Sequence, residues 1–143
     1  SFLKGKEYSN LVIDKMKILP LICYEIIFTN LIQKSDDSTN LIVNISEDGW
    51  FGKSIGPDQH FAKSIFRAIE NNTFLLRSTN QGVSAIIDNK GSIIKELNRN
   101  EAGNIEFDVP LIKSNKIKND LIFFILLITY LLVFLFYKEK NAK

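Results

Sequence analysis

Cys23 is the only cysteine of the chain, and it interrupts the apolar string ILPLICYEIIF at 18–28. A run rich in β-branched residues reads as a strand, and this one stops at a thiol. Tyr24, the carboxylate of Glu25 and a second apolar segment follow. At a sharp strand-to-helix corner a thiol is exposed, and backbone N–H groups beside it can face a developing oxyanion. A lone cysteine makes no intramolecular disulfide, which leaves packing, metal binding or chemistry. Metal binding is disfavoured, because the chain has one histidine and no second thiol. Packing stays open as the plain alternative, since free cysteine behaves as a small buried hydrophobe.

The elements that must position this thiol follow from periodicity and punctuation. Short β-branched runs at 11–13 and 18–22, separated by Asp14 to Lys17, predict a strand pair leading into Cys23. Pro20 predicts that the second strand is an edge or is broken there. Residues 26–33 read as helical, with Ile27, Leu31 and Phe28 on one face, and 35–40 as a loop. A buried strand is predicted over 41–45 and a long Gly-containing loop over 47–57. Pro57 and Asp58 suit the first turn of a helix. Phe61, Ile65 and Ile69 repeat at four-residue spacing, which turns Lys63, Arg67 and Glu70 outward. Strands are predicted at 74–76 and 83–87 around the loop 78–82, then a hairpin turn at 88–91 into 92–97. A last strand, 105–109, ends at Pro110. Helices and strands alternate early and strands dominate late, which predicts half of a layered α/β sandwich.

The chain has 143 residues, a formal charge of +2 and 45% hydrophobic residues, a size that suits one domain. Its hydrophobicity is uneven. Residues 121–137 read LIFFILLITYLLVFLFY, without charge, Gly or Pro. About 17 apolar residues is the lower limit for a helix that crosses a bilayer. Lys116, Lys118, Lys138 and Lys140 flank the run and can snorkel to the two interfaces. We therefore expect a globular part over 1–112, a linker over 113–120, a membrane span over 121–137 and a Lys-rich tail over 138–143. A buried core helix is the alternative to a span. Charge in 1–112 is mixed, with no basic stripe and no interleaved aromatics, so nucleic acid is not an expected partner.

Four stretches carry a family likeness: ICYEI (22–26), NISEDGWFGKSIGP (44–57), QHF (59–61) with Arg67 and Ala68, and LRSTNQG (76–82). Together they resemble the nitrilase (carbon–nitrogen hydrolase) superfamily and, within it, the apolipoprotein N-acyltransferase family. The resemblance implies the C-terminal part of a nitrilase-like αββα sandwich followed by one transmembrane helix. It implies a Glu-Lys-Cys triad with Cys23 as nucleophile, no cofactor and no metal. The thiolate would take an acyl chain from a phospholipid ester as a thioester, and the amine of a diacylglyceryl-modified apolipoprotein cysteine would accept it. The likeness places such an enzyme in the bacterial inner membrane, with the catalytic part extracytoplasmic and the tail cytoplasmic.

Glu25 matches a family carboxylate expected to orient the triad or a loop; a helix-start carboxylate is its plain alternative. Tyr24 offers a backbone N–H as oxyanion donor, since such donors often come from the residue after the nucleophile. Trp50 and Phe51 present apolar surface for an acyl chain or a lid, or else cap the core. Arg77, Ser78 and Asn80 are expected to hold the site floor, and a buried Arg77 demands a carboxylate partner. His60 is expected to be structural. Where the family loop usually has asparagine this chain has Glu47, whose charge would raise the pKa of nearby carboxylates or the thiol.

The family's base glutamate and lysine precede its cysteine. Only 22 residues precede Cys23, and Glu7 and the nearby lysines lack the expected surroundings. The expectation is a fragment of a larger enzyme, inactive by itself. A membrane-tethered nitrilase-type amidohydrolase and a non-catalytic tail-anchored module are the competing readings.

Overall fold

The computed structural model describes residues 10–33, 38–113 and 120–141. Six strands form one mixed sheet in sequence order: β1 (Leu11–Ile13), β2 (Met16–Ile22), β3 (Leu41–Glu47), β4 (Phe74–Asn80), β5 (Ser84–Ile87) and β6 (Ile93–Leu97). β2, β3 and β4 run parallel, and the flanking strands are antiparallel to their neighbours. Among the described residues the α-helices are α1 (Thr29–Gln33), α2 (Gly56–Asn71) and α3 (Asp120–Asn141). The predicted α/β class is what forms, with one six-stranded sheet.

One sheet face packs on α2 and the segment after β2 through Leu19, Leu21, Ile26, Ile42, Leu75 and Ile87. The other carries Leu41, Phe74 and Ile86, covered by Ile105, Val109 and Ile112. Alternation along each strand assigns neighbouring residues to opposite faces.

Several expectations are corrected. β2 runs unbroken through Pro20, which pairs with Val43 of β3, and the edge expected there is met on its other side. Among the described residues β1 pairs with β2 only as far as Ile18, so beyond that point β2 has an open flank that tolerates proline. Residues 26–33 are not one helix. A 3-10 turn, Cys23–Ile27, ends at Phe28 in extended backbone, and α1 begins afresh. The buried positions are Ile26 and Ile32, while Phe28 is exposed. Arg67 does not face outward: it is buried, donating to Thr29 Oγ1 at 2.9 Å and pairing with Glu70. The buried face of α2 is largely polar, comprising His60, Ser64, Arg67 and Asn71 beside Ala68. Residues 105–109 form no strand; they lie across the sheet face as apolar cover instead of pairing at its edge.

The apolar C-terminal run is helical, as α3, and its described side chains are exposed. Among the described residues, however, no helix is long and apolar enough to cross a membrane. Glu7 and most of the predicted linker lie outside the described residues.

Candidate active site

Ligand sites in open α/β sheets collect at the carboxyl ends of parallel strands. Here β2 ends into Cys23, β3 ends into Asp48, and β4 contributes Arg77 beside them. Cys23 has φ +49°, a left-handed conformation uncommon for a residue with a side chain. The strand therefore turns sharply at the thiol. Glu25 stabilises the corner from below: its Oε2 accepts the Ile22 N–H at 2.8 Å. Its carboxylate thus serves the backbone of the elbow. Cys23 itself is half-buried, with Sγ 3.5 Å from Ser46 Oγ and 3.9 Å from the Glu47 carbonyl oxygen.

Beneath the thiol lies a buried polar cluster. Arg77 Nη2 donates to Asp48 Oδ2 at 2.7 Å, and both side chains are fully buried. This is the carboxylate that burial of Arg77 demands. Arg77 Nη1 donates to Asn44 Oδ1 and, at 3.1 Å, to Ser64 Oγ. Ser46 Oγ donates to Asp48 Oδ1 at 2.8 Å, and His60 Nδ1 lies 2.9 Å from the same oxygen. His60 Nε2 meets the Cys23 carbonyl at 3.2 Å, and Asn44 Nδ2 donates to it at 3.3 Å. A carbonyl only accepts, so Nε2 is the donor in that contact, while Nδ1 faces both Asp48 Oδ1 and, at 3.1 Å, Arg77 Nη2.

Burial pushes the Asp48 carboxyl up, but it is outweighed by the hydrogen bond to His60, the charge of Arg77 and the bonds from Ser46 and Arg77. The pKa falls to about 2. Glu47 therefore does not raise its neighbour. Its carboxylate is turned away, accepting the Gly49 N–H at 2.7 Å and the Asn80 Nδ2 hydrogen at 2.6 Å. Burial pushes the Arg77 guanidinium down, and Asp48 opposes it. Gly82 is required by close approach, because a Cβ there would stand 2.3 Å from Asp48 Oδ2.

The structure separates the three residues predicted for the floor. Arg77 is in the cluster. Ser78 alternates to the opposite face, lining a groove of about 400 Å³ with Val43, Leu76 and Ile86. Asn80 holds the 3-10 turn Asp48–Phe51 through Glu47. That turn presents Trp50, 86% exposed, while Phe51 packs on the His60 ring at 5.4 Å between centroids. Tyr24 is exposed and stands 5.9 Å from the same ring. His60 is buried, and it touches the backbone of Cys23 as well as the core.

Asn44, Ser46, Asp48 and Ser64 were not singled out from the sequence as a cluster. A signal for them exists. Asn44 and Ser46 alternate along β3 on the face that also buries Ile42, and Asp48 continues the spacing just past its end. His60, Ser64, Arg67 and Asn71 form a polar stripe at helical spacing along α2.

Comparison with known proteins agrees with this geometry. The carbon-nitrogen hydrolase family matches residues 3–118. An apolipoprotein N-acyltransferase of Rickettsia typhi is 43% identical over 134 residues, 85% of this chain and 26% of that protein. The chain thus spans about a quarter of that relative's length. Among solved structures, a carbon–nitrogen hydrolase superfamily protein of Xanthomonas campestris superposes with TM-score 0.59 at 21% identity, covering 71% of this chain and 43% of that one. An amidase of Nesterenkonia sp. AN1, with acrylamide added at its active-site cysteine, gives 0.56 at 16% identity, covering 69% of this chain and 41% of that one. These two share the fold. With the family matched across most of its length and the sheet to go with it, the chain belongs to the carbon-nitrogen hydrolase family.

Proposed function

We propose that this chain carries the nucleophilic part of an apolipoprotein N-acyltransferase. The observation behind the nucleophile is the left-handed elbow that sets Cys23 at the carboxyl ends of three parallel strands. Likeness to the acyltransferase of Rickettsia typhi favours acyl transfer over hydrolysis of a small amide.

In the first step the Cys23 thiolate attacks the carbonyl of a phospholipid ester. A C–S bond forms, the ester C–O bond breaks, and the lysophospholipid leaves as its alcohol after taking a proton. In the second, the free amine of the diacylglyceryl-modified apolipoprotein cysteine attacks the thioester. An amide forms and the thiol is released. The Tyr24 N–H lies in the first turn of Cys23–Ile27, where N–H groups lack intrahelical partners, and it serves the oxyanion. Glu25 holds the elbow. Trp50 offers the acyl chain an apolar surface, with Phe51 as the wall behind it. Arg77 and Asn80 support the loop, whereas Ser78 lies on the other sheet face.

Both substrates are lipid-borne, so the enzyme works at a bilayer, and the exposed apolar side chains of α3 suit contact with lipid. On this reading the site faces the extracytoplasmic side of the bacterial inner membrane. The base glutamate and lysine of the family triad complete the chemistry.

The test is reconstitution of the full-length protein with labelled phospholipid and a diacylglyceryl-cysteine peptide. Label should move to the peptide amine. Hydrolysis of small amides without transfer would favour the amidohydrolase reading instead.

A further inference from the structure

The Cys23 carbonyl receives two side-chain donors, His60 Nε2 at 3.2 Å and Asn44 Nδ2 at 3.3 Å. Both residues are buried, His60 at 2% exposure and Asn44 at 0%. His60 Nδ1 in turn faces Asp48 Oδ1 at 2.9 Å and Arg77 Nη2 at 3.1 Å, and Arg77 donates to Asp48. Two donors aimed at the carbonyl of a left-handed residue are not needed to fill a core.

The peptide unit explains what they do. The Cys23 C=O and the Tyr24 N–H share one rigid plane and, across a trans bond, point in opposite directions. Whatever fixes the oxygen therefore fixes the direction of the N–H. Resting on the assignment of Cys23 as nucleophile, we propose that His60 and Asn44 are positioning residues. By clamping the Cys23 carbonyl they aim the Tyr24 N–H at the oxyanion. Arg77 and Asp48 serve as the anchor of that clamp. Neither His60 nor Asn44 touches the substrate; both act through one peptide plane.

The experiment uses full-length protein and labelled phospholipid, following acyl-enzyme formation in a single turnover. Rate constant and amplitude are read separately. Removal of one oxyanion donor costs about 10²–10³-fold in rate. His60→Leu should slow acylation by about 10²-fold at unchanged phospholipid KM. His60→Gln keeps a donor near the Nε2 position and should lose much less. A merely structural role would lower the amplitude, by unfolding a fraction of the protein, and leave the rate constant of the rest intact.

A wild-type rate constant in His60→Leu overturns the proposal. If that variant does not fold, His60→Asn replaces it, because its shorter amide does not reach the carbonyl. Asn should then be slower than Gln, and equal rates overturn the proposal. Cys23→Ser runs alongside. Label retained there means the nucleophile assignment has failed. Label lost there, with His60→Leu at full rate, means only the positioning role has failed.

Discussion

Replacing Asp48 with asparagine removes the carboxylate that balances the buried Arg77 guanidinium. The two are 2.7 Å apart with no exposure of either side chain. Breaking one partner of a buried pair typically costs about 3–5 kcal/mol, because the other charge is left uncompensated. With a urea dependence of about 2 kcal/mol per M, a loss of about 4 kcal/mol moves the midpoint by about 2 M. A second arm uses pH. The Asp48 pKa drops from the ordinary 3.8 to about 2 on folding, worth roughly 2 kcal/mol at neutral pH. A depressed carboxylate stabilises above its unfolded pKa. That contribution is therefore complete above about pH 4 and is lost as pH falls towards 2. The assay is urea denaturation of the 143-residue chain in detergent, followed by far-UV circular dichroism from pH 7 to pH 2. Asp48→Asn should show the low midpoint at pH 7 and a flatter pH profile. Adding Arg77→Met should recover most of the loss, since an apolar replacement of both partners is often neutral. A midpoint shift below about 0.3 M, the scale of an ordinary surface substitution, would refute the reasoning. So would an unchanged acid slope in Asp48→Asn.

Three further outcomes follow from particular contacts. Gly82→Ala forces a Cβ to 2.3 Å from Asp48 Oδ2 and should cost about 1–3 kcal/mol in the same urea assay; an unchanged midpoint counts against the packing described. Trp50→Ala, at a side chain 86% exposed, should shift stability by less than about 0.5 kcal/mol yet raise the phospholipid KM. An unaltered KM removes Trp50 from the acyl surface. Single cysteines at Leu126 and Phe134, in a Cys23→Ser background and reconstituted in bilayers, should resist a water-soluble maleimide; labelling as fast as in the urea-unfolded chain would place α3 outside lipid.

Much of the sheet was legible because its strands are short β-branched runs bounded by turn residues. The strands at 11–13, 18–22, 41–45 and 83–87 all appear within a few residues of their expected places. The start of α2 at Gly56 and Pro57 followed from proline's fit to a first helical turn. Residues 105–109 misled because their alternation suits any segment with one apolar side, and only tertiary structure decides between pairing at an edge and lying across a face. Arg67 and the polar face of α2 misled for a related reason. Periodicity sorts residues by polarity, but here the core side of the helix is polar because it meets Asp48, Arg77 and Thr29. The apolar run at the C-terminus was read correctly as a helix, and the crossing expected of it is not met among the described residues. At the site, Cys23 and Arg77 stood out by type. The clamp on the Cys23 carbonyl did not, because His60 and Asn44 lie far from it in sequence and converge only in the folded sheet.

The central claim is that Cys23 carries the acyl group, and the most direct measurement is the mass of its peptide. Full-length protein would be incubated with a phospholipid of defined acyl chain, without acceptor, then acid-quenched and digested. The peptide containing Cys23 should gain the mass of that acyl chain, lose it on treatment with neutral hydroxylamine, and show no such adduct in Cys23→Ser. An adduct on any other residue, or one that survives in Cys23→Ser, would contradict the account.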